Sequence, residues 1–261
     1  MLNLQPDGSD SEKFKFKILK YYIYYKYMEL PEITILVPTW NRAQFLPLFI
    51  MNLKTQTYPH DKLKLIIDDD GENKFITDIE EFKKIVYPIQ VKYITNKKKR
   101  TIGKKRNDLV KECETKIFCF MDDDDIYMAD YIRYSYVTLN SNKAGCVGSD
   151  KMIFCMSQKN YDIHAIDCGN NKRLIHEATL MMTKKYFRAS CKFANNSKGE
   201  GANIFFGHER SVVITDISKV MCCLQHEGNT VDKLQFAQEN NKLPMELSDE
   251  MKTFLDNLLK K

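Results

Sequence analysis

The sequence predicts an α/β fold, a mostly parallel central sheet with helices on both faces, followed by a less regular second part. Three observations predict it. Short β-branched or apolar runs alternate with apolar stripes at helical spacing, the pattern of consecutive βαβ units. One run, Ile117-Phe118-Cys119-Phe120-Met121, is apolar without alternation, as a strand covered on both faces must be. Polar residues gather directly after three of the strands, where open α/β sheets hold their ligands.

The elements follow in chain order. Residues 1–12 are polar and expected to be disordered; residues 13–30 form an N-terminal helical extension. Its aromatic stretch 21–27, broken up by Lys20 and Lys26, is too short to span a bilayer. That stretch is either an amphipathic helix packed on the domain or a weak contact with a membrane surface. Ile33-Thr34-Ile35-Leu36-Val37 is a β-branched strand halted by Pro38, which has no N–H for a ladder. Phe45, Leu46, Phe49, Ile50 and Leu53 make a helical stripe that Asn41 is placed to cap. After a turn at residues 57–61, Leu63-Lys64-Leu65-Ile66-Ile67 is a second strand, running into Asp68-Asp69-Asp70-Gly71. A helix over 75–86, a strand over 89–94 and a helix over 104–114 lead to the strand at 117. Beyond it come a helix near Asp130-Tyr131-Ile132, a strand over 178–182 and a C-terminal helix within 241–261.

Composition is that of an ordinary globular protein: 261 residues, 43% hydrophobic, 29% charged and a net charge of +5. The distribution of charge says more than its sum. Lys97-Lys98-Lys99-Arg100 and Lys104-Lys105-Arg106 are one basic block, while acids concentrate at 68–70 and 122–125. That segregation suits an anionic ligand held with a metal better than a long nucleic-acid track, which wants a broader basic stripe. The eight cysteines show no Cys-x-x-Cys pair and no zinc spacing. With a polar N-terminus lacking a signal peptide, they place the chain in a reduced, cytoplasmic compartment.

Polar chemistry therefore follows three strands: Pro38-Thr39-Trp40-Asn41, Asp69-Asp70-Gly71, and Asp122, Asp123, Asp124 and Asp125. Right-handed crossovers bring these strand ends to one edge of the sheet. Carboxylates this dense repel one another unless a divalent cation sits among them, and hard oxygen ligands suit Mg²⁺ or Mn²⁺. The competing reading of the tetrad is a solvated acidic turn capping the next helix. Trp40 is either a wall on which a base stacks or core packing beneath a helix. Asp69 and Asp70 accept from a base or ribose, or simply make a turn. Arg106 and Asn107, near a helix N-terminus after Gly103, face an anion; Lys97, Lys98 and Lys99 are a solvated face.

These residues resemble family 2 glycosyltransferases of the GT-A (Rossmann-like) fold. The resemblance rests on residues 33–42, Phe45-Leu46, Gln56-Thr57-Tyr58-Pro59, Asp69-Asp70-Gly71, the Gly-x-x-Arg-Asn of 103–107 and the acidic motif after the strand at 117. These occur in the family's order over roughly residues 31–230. The extended acidic motif is similar to that of glycosyltransferases from large DNA viruses. The resemblance implies an N-terminal extension (1–30), a GT-A domain (31–240, with a nucleotide-sugar half 31–150 and an acceptor half 151–240) and the C-terminal helix. It implies a metal-dependent inverting transfer of a sugar from a nucleotide-diphosphate donor, a UDP-sugar, to a hydroxyl of a glycan or protein-linked acceptor. Pro38, Thr39, Trp40, Asn41, Asp69, Asp70, Arg106, Asn107 and Asp123 would hold the nucleotide. Asp124, with Asp122 and His226, would hold Mn²⁺ or Mg²⁺. Glu209 is the expected base, with His208 as its alternative, because His208-Glu209 stands where the family carries an acidic pair. A viral origin would place the protein in host cytoplasm or virion. Two other readings remain open: a metal-dependent nucleotidyltransferase, and a nucleotide-sugar-binding module without catalysis.

Overall fold

The computed structural model describes residues 29–229 and 234–259. The account below concerns the unit Glu32–Lys261; the expectations for residues 1–12 and 13–28 lie outside the described residues. Among those, no helix is long and apolar enough to cross a membrane.

A seven-stranded sheet forms the centre. Its strands are β1 (Ile33–Thr39), β2 (Leu63–Asp69), β3 (Gln90–Thr95), β4 (Ile117–Phe120), β6 (Cys146–Gly148), β9 (Met181–Thr183) and β10 (Val212–Ile214), in spatial order β10-β6-β9-β4-β1-β2-β3. β4, β1, β2 and β3 pair in parallel, as the strand–helix alternation predicts, and β9 is the antiparallel member between β4 and β6. The unalternating runs of β1 and β4 are buried from end to end or nearly so. Register sets Thr39 beside Asp69 and Asp69 beside Thr95, and the N–H of Met121 donates to the Leu36 carbonyl. The three polar strand ends thus share one edge.

A second, four-stranded sheet has the order β5-β11-β7-β8, with β5 (Ile126–Tyr127), β7 (Lys151–Met156), β8 (Asp162–Asp167) and β11 (Met221–Gln225). Sequence reasoning missed β7, β8 and β11 as a sheet, because their runs lie between loops without the regular helical spacing of the first half. Asp125 ties helix Leu46–Thr55 to the second sheet: its carboxylate accepts the Leu224 N–H at 3.0 Å and its carbonyl accepts the Asn52 amide at 2.8 Å.

Several boundaries differ from expectation, each for a local reason. Asn41 does not cap a helix. It adopts φ 53° in the left-handed region, and a 3₁₀ turn Ala43–Phe45 precedes helix Leu46–Thr55. The helix expected from 75 starts at Ile79, with Asp78 capping the Glu81 N–H at 2.9 Å. Residues 71–75 stay irregular because Asp69 accepts the N–H groups of Gly71 and Phe75, each at 2.8 Å. The helix expected from 104 starts at Ile102, capped by Thr101. The acidic tetrad does not cap the following helix: β5 intervenes before helix Tyr131–Ser141. Of residues 178–182, the first two belong to a 3₁₀ turn, Glu177–Thr179, and the strand is Met181–Thr183. The C-terminal helix is Asp249–Leu259.

Candidate active site

The strand ends open into a cleft of about 630 Å³. One part of its lining is ionic: Arg42, Lys99, Arg100, Lys105, Arg106, the four acids 122–125, Glu177, Lys198 and Glu200. The chemistry starts at the end of β1. Pro38, Thr39 and Trp40 all line the cleft. Trp40 is 40% exposed, so it is not core, and the Lys99 ammonium sits 3.1 Å from its ring centroid. Asn41 points away from the cleft, where its side-chain oxygen takes the Asn73 N–H at 3.1 Å. No side chain fits at Gly71: a Cβ there would come within 2.5 Å of the Asn41 backbone nitrogen.

The acids after β2 are committed elsewhere. Asp69 is fully buried and holds two backbone N–H groups and the Tyr93 hydroxyl. Asp70 accepts the Lys105 ammonium at 2.6 Å and the Arg100 N–H at 2.6 Å. Lys105, only 2% exposed, also donates to the Thr39 carbonyl at 2.5 Å, fastening the β1 end to helix Ile102–Glu112. Burial lowers the Lys105 pKa, and the Asp70 carboxylate works against that fall. Neither Asp69 nor Asp70 lines the cleft; both hold its floor. Asn107 likewise faces away, clasping the Phe193 backbone through both ends of its amide at 2.9 and 3.1 Å.

Arg106 is the hub. It is 3% exposed; its Nη2 reaches Asp122 at 3.1 Å and its Nε reaches Glu200 at 3.1 Å. The guanidinium lies 4.7 Å from the Phe120 ring centroid. Its Nη1 is buried without a hydrogen-bond partner, and so is Oδ2 of Asp123. Burial raises the pKa of Asp123 well above the carboxylate range, and the Asp124 charge adds to the rise. Asp122 is raised for the same first reason, with Arg106 opposing.

Oδ2 of Asp124 lies 3.2 Å from the Arg42 guanidinium and 3.1 Å from His226 Nε2. Nδ1 of His226 accepts the Gly228 N–H at 3.1 Å, and Nε2 faces both Asp124 Oδ2 and the Asn229 amide nitrogen, each at 3.1 Å. In this arrangement the histidine orients Asp124 and does not line the cleft. Arg42 also donates to the Gly228 carbonyl at 2.6 Å, and a Cβ on Gly228 would meet Arg42 Nη1 at 2.7 Å. Among the described residues no three His, Cys, Asp or Glu side chains form a ready ligand cage. A Mg²⁺-type site made of one or two carboxylates and substrate phosphates needs none. Asp122, Asp123 and Asp124, with the orphaned Asp123 oxygen among them, fit such an ion.

His208 and Glu209 are not brought into this cleft. Glu209 lies in a 3₁₀ turn and pairs with Arg173 at 3.0 Å; its own backbone N–H and that guanidinium hold its carboxyl below the usual range. Two carboxylates that sequence reasoning missed are inside instead. Glu200 is 4% exposed beside Arg106, and Glu177 accepts the Gly201 N–H at 2.8 Å. Burial raises the Glu177 pKa, the Glu200 charge raises it further, and Arg106 opposes both. Glu200 stands in Lys198-Gly199-Glu200-Gly201, with no periodic context to mark it, and Arg42, Lys105 and Glu177 carried no more than their charge.

Comparison with known proteins agrees with this architecture. The family model described as glycosyl transferase family 2 matches residues 34–206. No curated protein matches the sequence. Among solved structures, S. aureus TarS 1-349 in complex with UDP-GlcNAc is similar over 76% of this chain and 60% of that one, at 12% identity and TM-score 0.57. The mannosyltransferase PcManGT from Pyrobaculum calidifontis, in complex with GDP-Man and Mn2+, is similar over 83% of this chain and 66% of that one, at 13% identity and TM-score 0.56. This chain therefore spans about 60% of the TarS 1-349 length. At such identities the likeness carries the fold alone, the mostly parallel α/β sheet of GT-A glycosyltransferases. The family model covers β1 through the loop that bears Glu200, and with it nearly all of the ionic lining; by that match the chain belongs to glycosyl transferase family 2.

Proposed function

We propose that this protein transfers a sugar from a nucleotide-diphosphate donor, a UDP-sugar, to an acceptor hydroxyl with inversion and with Mn²⁺ or Mg²⁺ bound. The observation that carries the reading is the convergence, in one cleft, of the exposed Trp40 face, the Asp122, Asp123 and Asp124 carboxylates and the buried Arg106 whose Nη1 lacks a partner. Trp40 gives the base a stacking surface. Arg106 and Lys105 supply fixed positive charge for a diphosphate, and Arg106 is already oriented by Asp122 and Glu200. Asp124, with Asp122 as neighbour and His226 setting its orientation, would hold the divalent ion, which when bound offsets charge on the departing nucleotide.

The acceptor proton goes to Glu200. The base must be ionised and within the cleft, and two carboxylates with different environments meet those needs unequally. Glu200 is paired with Arg106 at 3.1 Å, while burial and the neighbouring Glu200 carboxylate push Glu177 towards the protonated form. Glu209 and His208 remain outside that chemistry.

A panel of UDP-, GDP- and other nucleotide sugars, incubated with and without Mn²⁺ in the absence of acceptor, tests the reading. Slow release of nucleoside diphosphate from a UDP-sugar, dependent on the metal and lost in Asp124→Ala, is expected. Release of pyrophosphate from a nucleoside triphosphate would replace the reading with nucleotidyl transfer. Metal-dependent binding without any turnover would reduce it to a binding module.

A further inference from the structure

Part of the remaining lining of the same cleft is apolar and comes from the four-stranded sheet and its loops: Met152, Phe154, Ile166, Cys168, Leu174 and Phe236. Met152 and Ile166 are directly paired across β7 and β8, and Phe154 lies two residues along β7, so all three share one face. Phe236 stacks on Phe154 with ring centroids 5.5 Å apart and planes 10° from parallel. Leu174 closes the series at the rim and is 55% exposed. Beside it Arg173 lies 5.3 Å from the ring of Phe206, itself 62% exposed. Outside these six, the lining also carries the polar side chains of His176, Ser197 and Asn229.

We infer that this wall is the acceptor subsite and that it takes an acceptor whose sugar hydroxyl is carried on an alkyl chain, a lipid-type glycoside. The inference rests on the glycosyl-transfer reading and names its acceptor. The donor's anionic parts fit the ionic lining, so the acceptor must approach Glu200 from the remaining, apolar side. A free saccharide laid on these six side chains would find few hydroxyl partners among them, which is costly. An alkyl chain buries apolar area on the same wall and gains from it. Continuity with the donor cleft and the apolar face shared by Met152, Phe154, Ile166 and Phe236 argue for this occupant.

The test compares paired acceptors with the same sugar and different aglycones. Methyl and n-octyl glycosides of a sugar panel are offered with whichever nucleotide sugar the enzyme hydrolyses, and KM is measured for each. The octyl member of at least one pair is expected to show a KM lower by about 10-fold or more, the worth of two buried methylenes. Leu174→Asp, at an exposed position that tolerates a charge, should erase the octyl-to-methyl advantage. Tyr87→Ser, which removes an 81% exposed apolar side chain that does not line the cleft, should keep it. Equal KM values within every pair overturn the inference, as does transfer to serine or threonine peptides with no alkyl glycoside used. Absence of donor hydrolysis is a different failure and falls on the glycosyl-transfer reading itself.

Discussion

The two linings of the cleft are built by different means. On the ionic side several charged groups are held by another, Asp122 by Arg106 and Asp124 by Arg42, and beneath the lining Asp70 is held by Lys105. On the apolar side the shape comes from strand pairing and ring stacking, Met152 against Ile166 and Phe154 against Phe236. Ion pairs have direction and defined partners, so they fix positions for charge. Apolar contact is non-directional and roughly proportional to area, so it admits a family of shapes. The difference teaches that, on the proposed reading, donor geometry would be fixed residue by residue and acceptor choice set by surface.

The largest expected effect separates the carboxylate inside the cleft from the one outside it. Glu200→Gln keeps a hydrogen-bond acceptor for Arg106 and removes the basic oxygen, so transfer should fall by ~10²–10⁴-fold. Glu209→Gln disturbs only a partly exposed pair with Arg173 and should leave the rate within about twofold, as exposed pairs are worth little. Donor binding to Glu200→Gln, measured by calorimetry with UDP and Mn²⁺, should persist. If Glu209→Gln is the slow variant, the base lies outside the cleft and the chemical assignment made here fails.

A second prediction compares two lysines on neighbouring positions of one helix. Lys105 is buried against Asp70, and Lys104 is exposed against Asp108 at 2.9 Å. Lys105→Met leaves a buried carboxylate with part of its partnership gone and should cost ~3–5 kcal/mol in chemical denaturation. Lys104→Met should change stability by no more than about 0.5 kcal/mol. Pairing Lys105→Met with Asp70→Asn should recover part of the loss. Equal effects at 104 and 105 would mean that the buried pair does not hold the β1 end.

The same contrast explains what was legible in the sequence. β1, β2 and β4 announce themselves because strands covered on both faces are apolar nearly throughout, whereas β3 is a half-exposed edge strand. Gly71 lies just beyond the end of β2, and β1 runs one residue past Pro38. Their polar ends fall on one edge because parallel crossovers leave no alternative. The partnerships at that edge were not legible. Asp69 and Asp70 look like ligand carboxylates, and only three-dimensional placement shows that they hold backbone N–H groups, Tyr93 and Lys105. Glu200 sits in a glycine-flanked loop whose position depends on Asn107 clasping Phe193, 86 residues away in sequence. His208-Glu209 attracted the base assignment because local sequence cannot tell a carboxylate aimed at a cleft from one paired at the surface.

Trp40 gives a smaller effect on the donor side. Trp40→Ala removes the only broad apolar face among the ionic residues and should weaken UDP binding by ~1–3 kcal/mol, the value of a base–aromatic stack. Trp40→Phe should restore most of it. Stacking on the face opposite Lys99 leaves that cation in place, so the loss should vary little with salt. Unchanged UDP affinity in Trp40→Ala would move the base away from the β1 end.

The smallest effect concerns Arg42 and the charge it places on Asp124. The guanidinium stands 3.2 Å from Asp124 Oδ2 and is anchored to the Gly228 carbonyl, so it neutralises the same carboxylate that a divalent ion would use. An ion entering without nucleotide must compete with that contact. Both side chains keep slight solvent access, 15% and 13%, which holds the competition to the order of an exposed pair, about 1 kcal/mol or less. Arg42→Gln should therefore bind Mn²⁺ up to about fivefold more tightly in the absence of nucleotide, read from the free-ion signal in paramagnetic resonance. With UDP present the sign should reverse, because the diphosphate brings negative charge that Arg42, once released from Asp124, can meet. The pair of measurements isolates the residue's two tasks. If Arg42→Gln leaves Mn²⁺ affinity unchanged with and without UDP, the contact with Asp124 is a resting arrangement that the ion never has to break.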